Sequence, residues 1–292
     1  MKGWHFSRSI KDLLEWFAIP ALSAVLPWRT CFSLYRRFAA NDQLVENTAT
    51  SFAAAQYHNK ASNSASWASE FRLTHIVDRA DAILSRFRSN RWLDKHLVVS
   101  GDSWPEGAFV GITYHFGAGL WAIRHLCRHE RTASFLSARF DGNFFGDAKL
   151  RYAYARFRMR EVSRAGHADV IYTGGSVERI RTSLAEGTAV LGLIDVPPSQ
   201  ASGDFGEVEF LGRAARFPLG LLLLARDACV PVALFTASIS ADGTRRLHIR
   251  KIEGEILAQL RQITNELDRL LDEQPAAWHR WADVSAFFNV PD

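Results

Sequence analysis

The stretch Phe109-Val-Gly-Ile-Thr-Tyr-His115-Phe-Gly-Ala-Gly-Leu-Trp121 decides how this chain is read. An apolar run with β-branched residues stops at a histidine, and two glycines and a helix-like segment follow. Such a run, bounded by glycine, is the pattern of a buried strand. At a strand-to-helix junction backbone N–H groups point outward, and a general base can face a cleft. His115 is therefore the first candidate for chemistry.

Outward from this stretch the pattern changes character. Residues 6–60 read as helix after helix, residues 61–66 as a small polar linker, and residues 67–94 as helical again, with Phe71, Ile76, Ala80, Ile83, Leu84 and Phe87 at helical spacing. Strands are then expected at 97–100, 109–114, 133–138, 168–172, 189–194, 207–210, 230–238 and 245–249. Helices are expected at 117–130, 146–163, 175–185, 219–227 and 254–273. Strand and helix in alternation predict an α/β sandwich, its central, mostly parallel sheet flanked by helices. The domain division that follows is an N-terminal helical segment over 1–60 and an α/β domain over 61–292.

A chain of 292 residues with 48% hydrophobic content can bury one large core. The net charge of +4 is dispersed and suits an anionic membrane surface, an acidic carrier protein or a phosphorylated substrate. No dense basic stripe interleaved with aromatics is present, which argues against nucleic acid. Cys31, Cys127 and Cys229 have neither metal nor disulfide spacing and suit a reducing compartment. No cleavable signal peptide is expected. The segment from Leu13 to Trp28 is apolar, with Trp16 and Trp28 near its ends and Arg29, Arg36 and Arg37 following. Glu15, Pro20 and Pro27 interrupt it, so it predicts an interfacial helix on the cytoplasmic membrane face rather than a span.

Four further segments could carry chemistry. Val190-Leu-Gly-Leu-Ile-Asp195 ends an apolar strand in an acid, and ligands of open α/β sheets bind outside the carboxyl ends of strands. Asp195 is therefore expected to face the same crevice as His115. Arg213 and Arg216, between a short strand and a Pro-Leu-Gly helix start, could clamp a phosphate or carboxylate. The loop with Arg139, Asp141 and Asn143 mixes aromatic, amide and basic groups, which suits acceptor binding. Arg151, Arg156, Arg158, Arg160 and Arg164 form either a solvated helix face or a surface for an acidic carrier or lipid headgroups. His125 and His129 sit one turn apart but lack a third ligand, so no metal is expected. No Gly-x-Ser-x-Gly elbow exists, and a lone base acting on a substrate hydroxyl or amine needs only the histidine, an orienting partner and an oxyanion site.

Together these blocks resemble the bacterial lipid A biosynthesis (late) acyltransferase family, within the lysophospholipid acyltransferase group. The likeness runs over about residues 25–285 through blocks in matching order. They are Leu26-Pro-Trp-Arg with Tyr35-Arg-Arg, Thr113-Tyr-His115-Phe-Gly, and Leu184-Ala-Glu-Gly running on to Asp195. Val208-Glu209-Phe-Leu-Gly212-Arg213 with Phe217-Pro-Leu-Gly220, and then Pro275-Ala-Ala-Trp278, complete the series. The resemblance implies an acyltransferase on the cytoplasmic side of the inner membrane, peripheral or monotopic. Acyl carrier protein or coenzyme A would be the thioester donor, with no bound cofactor. It adds Glu209 and Gly212 to the substrate-binding candidates. In that family an acid follows the histidine by five residues and orients it, whereas this chain has Leu120 there. Asp195, Asp141 or a backbone carbonyl would then have to fix the imidazole tautomer. The departure points to an unusual acceptor, such as an amine or a specialised metabolite. The alternative is a non-catalytic lipid- or carrier-binding relative.

Overall fold

The computed structural model describes residues 8–128, 130–140 and 142–288. The chain opens with α1 (Arg8–Leu13), a π-helical turn at Leu14–Ala18, α2 (Ile19–Val25), α3 (Trp28–Ala39) and α4 (Thr48–Tyr57). The long α5 (Ser64–Phe87) and short α6 (Asn90–Asp94) lead into β1 (Leu97–Gly101), β2 (Val110–Thr113) and α7 (Leu120–Leu126). Next come β3 (Ala133–Ser137), α8 (Gly142–Phe145), α9 (Lys149–Gly166), β4 (Ile171–Tyr172), α10 (Val177–Ala185) and β5 (Ala189–Leu193). A hairpin of β6 (Phe205–Phe210) and β7 (Arg213–Pro218) precedes α11 (Gly220–Asp227), β8 (Val232–Ile239), β9 (Arg245–Ile252) and α12 (Ile256–Glu273).

Seven strands form one sheet in the order β1-β9-β8-β2-β5-β3-β4. Five neighbours, β8 through β4, run parallel, while β9 is antiparallel to β8 and carries β1 with it. The expected α/β architecture with a mostly parallel sheet is thus observed. β2 sits in the middle and every one of its residues is buried, because helices cover both faces of a parallel sheet. That is why its sequence runs apolar up to Thr113 rather than alternating.

Some boundaries differ from expectation. The linker at 61–66 is cut short because Asn63 caps α5, its side chain accepting the Ser66 N–H at 3.0 Å. The helix expected over 117–130 shrinks to α7, because Gly117 has left-handed backbone and the residues before α7 form loop contacts. β7 was not expected at all. It alternates exposed Ala214 with buried Ala215 and Phe217, too weak a pattern to read locally.

The N-terminal helices lie against α5 and share one apolar core with the sheet, Ile19, Trp28, Phe32 and Tyr35 joining Val110, Ile112 and Leu234. Arg245 of β9 pins this junction. Its guanidinium lies 4.2 Å from both the Trp28 and Trp121 ring centroids and pairs with buried Asp81 of α5. Glu15 is buried too, accepting the Val45 N–H at 2.8 Å and lying 3.4 Å from Arg79. The charge that interrupts the apolar N-terminal segment therefore points into the protein. No described helix is long and apolar enough to cross a membrane.

Candidate active site

His115 and Asp195 meet because β2 and β5 are in register. Thr113 lies opposite Leu193, and the Ile194 N–H donates to the Thr113 carbonyl at 3.0 Å, so the residues two beyond each strand end face one another. Both stand at the carboxyl edge of the sheet, where open α/β folds bind ligands. Asp195 is fully buried. Its carboxylate accepts the His115 backbone N–H at 2.8 and 3.1 Å, the His115 ring Nδ1–H at 3.0 Å and the Trp278 Nε1–H at 2.8 Å. Three N–H donors thus face a group that, when ionised, can only accept.

The same contact assigns the imidazole tautomer. Nδ1 faces an acceptor and carries the proton, which leaves Nε2 as the proton-accepting nitrogen. The histidine side chain keeps 33% of its surface exposed. Among the described residues no Ser, Thr or Cys side chain hydrogen-bonds to His115, so the arrangement suits a base that acts on a substrate group directly.

A C-terminal strap holds the histidine loop. Phe116 and Trp278 form an antiparallel bridge, and the Gly117 N–H donates to the Ala277 carbonyl at 2.9 Å. His279 clamps both sides of Phe116: its backbone N–H donates to the His115 carbonyl at 2.8 Å and its Nε2–H to the Gly117 carbonyl at 2.9 Å. On the other side the Ala118 N–H donates to the Ala237 carbonyl of β8 at 3.0 Å. Gly117 has φ +61°, and a Cβ there would lie 1.9 Å from the Ala237 oxygen, so only glycine fits. Trp278 itself is fully buried between Phe210, Trp281 and Phe287. Trp278 and His279 were not foreseen as site residues. Their one sequence signal was the Pro-x-x-Trp block, which says nothing about what the indole touches.

A half-buried polar layer lies behind the strap. The His279 ring meets His75 of α5 at 4.3 Å between centroids. Burial pushes His75 well below the ordinary imidazole value, and His279 and Arg79 add to the effect. Burial also lowers His279, outweighing the opposing pull of Asp78. Burial would raise Asp78, but Arg158, bonded to it at 2.9 Å through both oxygens, leads the charges that hold it below its usual value.

Leu120 opens α7 with 2% of its surface exposed, in a cluster with Phe109, Leu126 and Leu191. The position where the resemblance expects an acid is therefore committed to the core, and the carboxylate that meets His115 Nδ1 is that of Asp195, two residues beyond the end of β5.

The other candidates do not converge on the pair. Arg139 is exposed beside a separate cleft, Asn143 falls in α8, and Asp141 lies outside the described residues. Glu209 points outward from β6, and Leu211 and Gly212 make the hairpin turn with φ +52° and +71°. Arg213 lies over the Phe288 ring at 4.5 Å and Arg216 over Phe205 at 5.3 Å, so both guanidinium groups are stacked on aromatic rings rather than on His115. The hairpin contributes through its inner face instead, where Phe210 supports Trp278. His125 accepts the Trp104 Nε1–H at 3.0 Å, and His129 lies outside the described residues. Among the described residues no group of three or more His, Cys, Asp or Glu could hold a metal. No protein-family model matches the chain, and no curated protein matches it.

Proposed function

We propose that the protein is an acyltransferase of the lipid A biosynthesis (late) acyltransferase type. It moves an acyl group from an acyl-carrier-protein or coenzyme A thioester to a hydroxyl or amine of a lipid or specialised metabolite. The observation that carries this reading is the His115 Nδ1–Asp195 contact of 3.0 Å on a partly exposed ring at the carboxyl edge of a parallel sheet. In this reading Nε2 of His115 takes the proton from the acceptor O–H or N–H. The freed oxygen or nitrogen attacks the thioester carbonyl, the C–S bond breaks, and the imidazolium returns its proton to the departing thiolate. Asp195 acts through His115 by fixing the tautomer and stabilising the imidazolium, as the acid does in a catalytic triad. The N-terminal helices would rest on the cytoplasmic membrane face, a role supported by the exposed apolar side chains of Ile10, Leu13 and Val25.

The test presents acyl-carrier-protein and acyl-coenzyme A donors, with lipid and amine acceptors, to wild type and His115→Ala. Acceptor-dependent thioester release that is lost in the folded variant supports the proposal. Retention of more than a tenth of the wild-type rate overturns the role of His115. Donor binding with no release from any donor moves the protein to a non-catalytic, carrier- or lipid-binding relative.

A further inference from the structure

A cleft of about 760 Å³ lies along the outer edge of the sheet, between α9, α10, edge strand β4 and the loop after β3, with its Arg139, Phe140 and Tyr172 end toward the carboxyl ends of β3 and β4. His115 does not line it. Five arginines do: Arg139, Arg156, Arg160, Arg164 and Arg179, against a single acid, Asp169. Arg156, Arg160 and Arg164 recur every four residues along one face of α9, a spacing at which like charges repel and cost helix stability. Only Arg164 of the five has an ion-pair partner among the described residues, Glu161. Three half-buried rings share the wall. Phe140 stands at 84° to Tyr172 and 89° to Tyr152, with centroids 6.3 and 6.4 Å apart.

We propose that this cleft binds a nucleotide-class ligand, a flat base carrying two or more phosphate groups. Guanidinium forks match phosphate oxygens two at a time, and four of the five have no ion-pair partner among the described residues. The ring corner sets aromatic surface beside the guanidinium groups, Arg156 lying 5.8 Å from the Tyr152 ring centroid. The volume falls within the range of about 300–1,000 Å³ usual for small-molecule sites. Strands lie about 4.8 Å apart, so β4, three places from β2, is about 14 Å along the edge from the strand that ends at His115. Under the acyl-transfer reading, on which this last identification rests, the ligand is the nucleotide headgroup of a coenzyme A-type donor, whose thiol arm would run along the sheet edge to His115.

The test is calorimetric titration of the full chain with adenosine 3′,5′-bisphosphate, comparing wild type, Arg160→Gln, Arg139→Gln with Arg179→Gln, and His115→Ala. All the substituted arginines are exposed, so the variants are expected to fold. Saturable binding that weakens about tenfold or more in the arginine variants and stays unchanged in His115→Ala supports the site. No saturable binding, or binding that ignores the arginines, overturns it. Inorganic pyrophosphate binding as tightly as the nucleotide overturns recognition of the base. Arginine-dependent binding of an acidic protein, with none of the nucleotide, overturns the small-molecule assignment in favour of a protein partner. Nucleotide binding without any thioester consumption keeps the site while refuting acyl transfer, so the two failures are distinguishable.

Discussion

Replacing Asp195 with asparagine keeps the shape of the side chain and removes one of its two accepting oxygens. One oxygen accepts both the His115 backbone N–H and the Trp278 Nε1–H at 2.8 Å, and the other accepts the ring Nδ1–H at 3.0 Å. If the new amide nitrogen faced the first pair, the buried Trp278 donor would go unmatched at about 1–3 kcal/mol and the His115 N–H would keep only its longer 3.1 Å contact. The cheaper orientation turns the amide nitrogen toward the ring. The imidazole then accepts at Nδ1 and carries its proton on Nε2, the nitrogen that has to take the substrate's proton. Asp195→Asn is therefore expected to lose about 10²–10⁴-fold in rate, the usual worth of a general base, for about 1–2 kcal/mol of stability. Asp195→Ala leaves three donors unmatched and is expected to cost about 3 kcal/mol or more. Thioester-release kinetics alongside urea unfolding measure both quantities. Wild-type turnover in a folded Asp195→Asn variant would refute the assignment of the acid. A rate loss that merely tracks unfolding would refute the separation of roles.

Leu120→Asp, which restores the acid the resemblance expects, should not raise activity. It buries a carboxylate among Phe109, Leu126 and Leu191 and should destabilise by about 3 kcal/mol or more, and a stable, faster variant would contradict this placement. Gly117→Ala drives a methyl group into the Ala237 carbonyl, so it should lower both melting temperature and turnover, and an unchanged melting curve would be inconsistent with the close approach. Trp278→Phe keeps the aromatic packing but removes a donor to Asp195. It should cost about 1–2 kcal/mol and broaden the His115 ring signals in NMR, with no spectral change counting against the strap. The lowered values of His75 and His279 set a pH dependence. Below their ordinary value of 6.5 the unfolded chain binds protons that the native state refuses, so stability is present above that pH and falls as pH drops toward the folded values. Urea midpoints measured from pH 8 to 5 should show this fall, and His75→Gln should flatten it. Asp78, held low in the native state, adds a second loss at more acid pH, as its pair with Arg158 is protonated away.

The sequence by itself determined the strand-helix alternation, the buried run of β2, and His115 and Asp195 as residues closing two strands. These are local properties. A covered parallel strand must be apolar throughout, and the residue that stops the run must lie at its end. The partnership of the two residues was an expectation until the register of β2 and β5 brought positions 80 residues apart to within 3.0 Å. Tertiary structure alone decided that Leu120 belongs to the core, that Trp278 supplies the third donor to Asp195 and that His279 clamps the loop. It also decided that Arg213 and Arg216 stack on rings away from His115, whereas Arg139 opens onto a different cleft. None of these could be read locally, because a side chain's role here depends on what faces it. That was fixed by strand register, by the left-handed turn at Gly117 and by the returning C-terminal strap, each joining segments far apart in the chain.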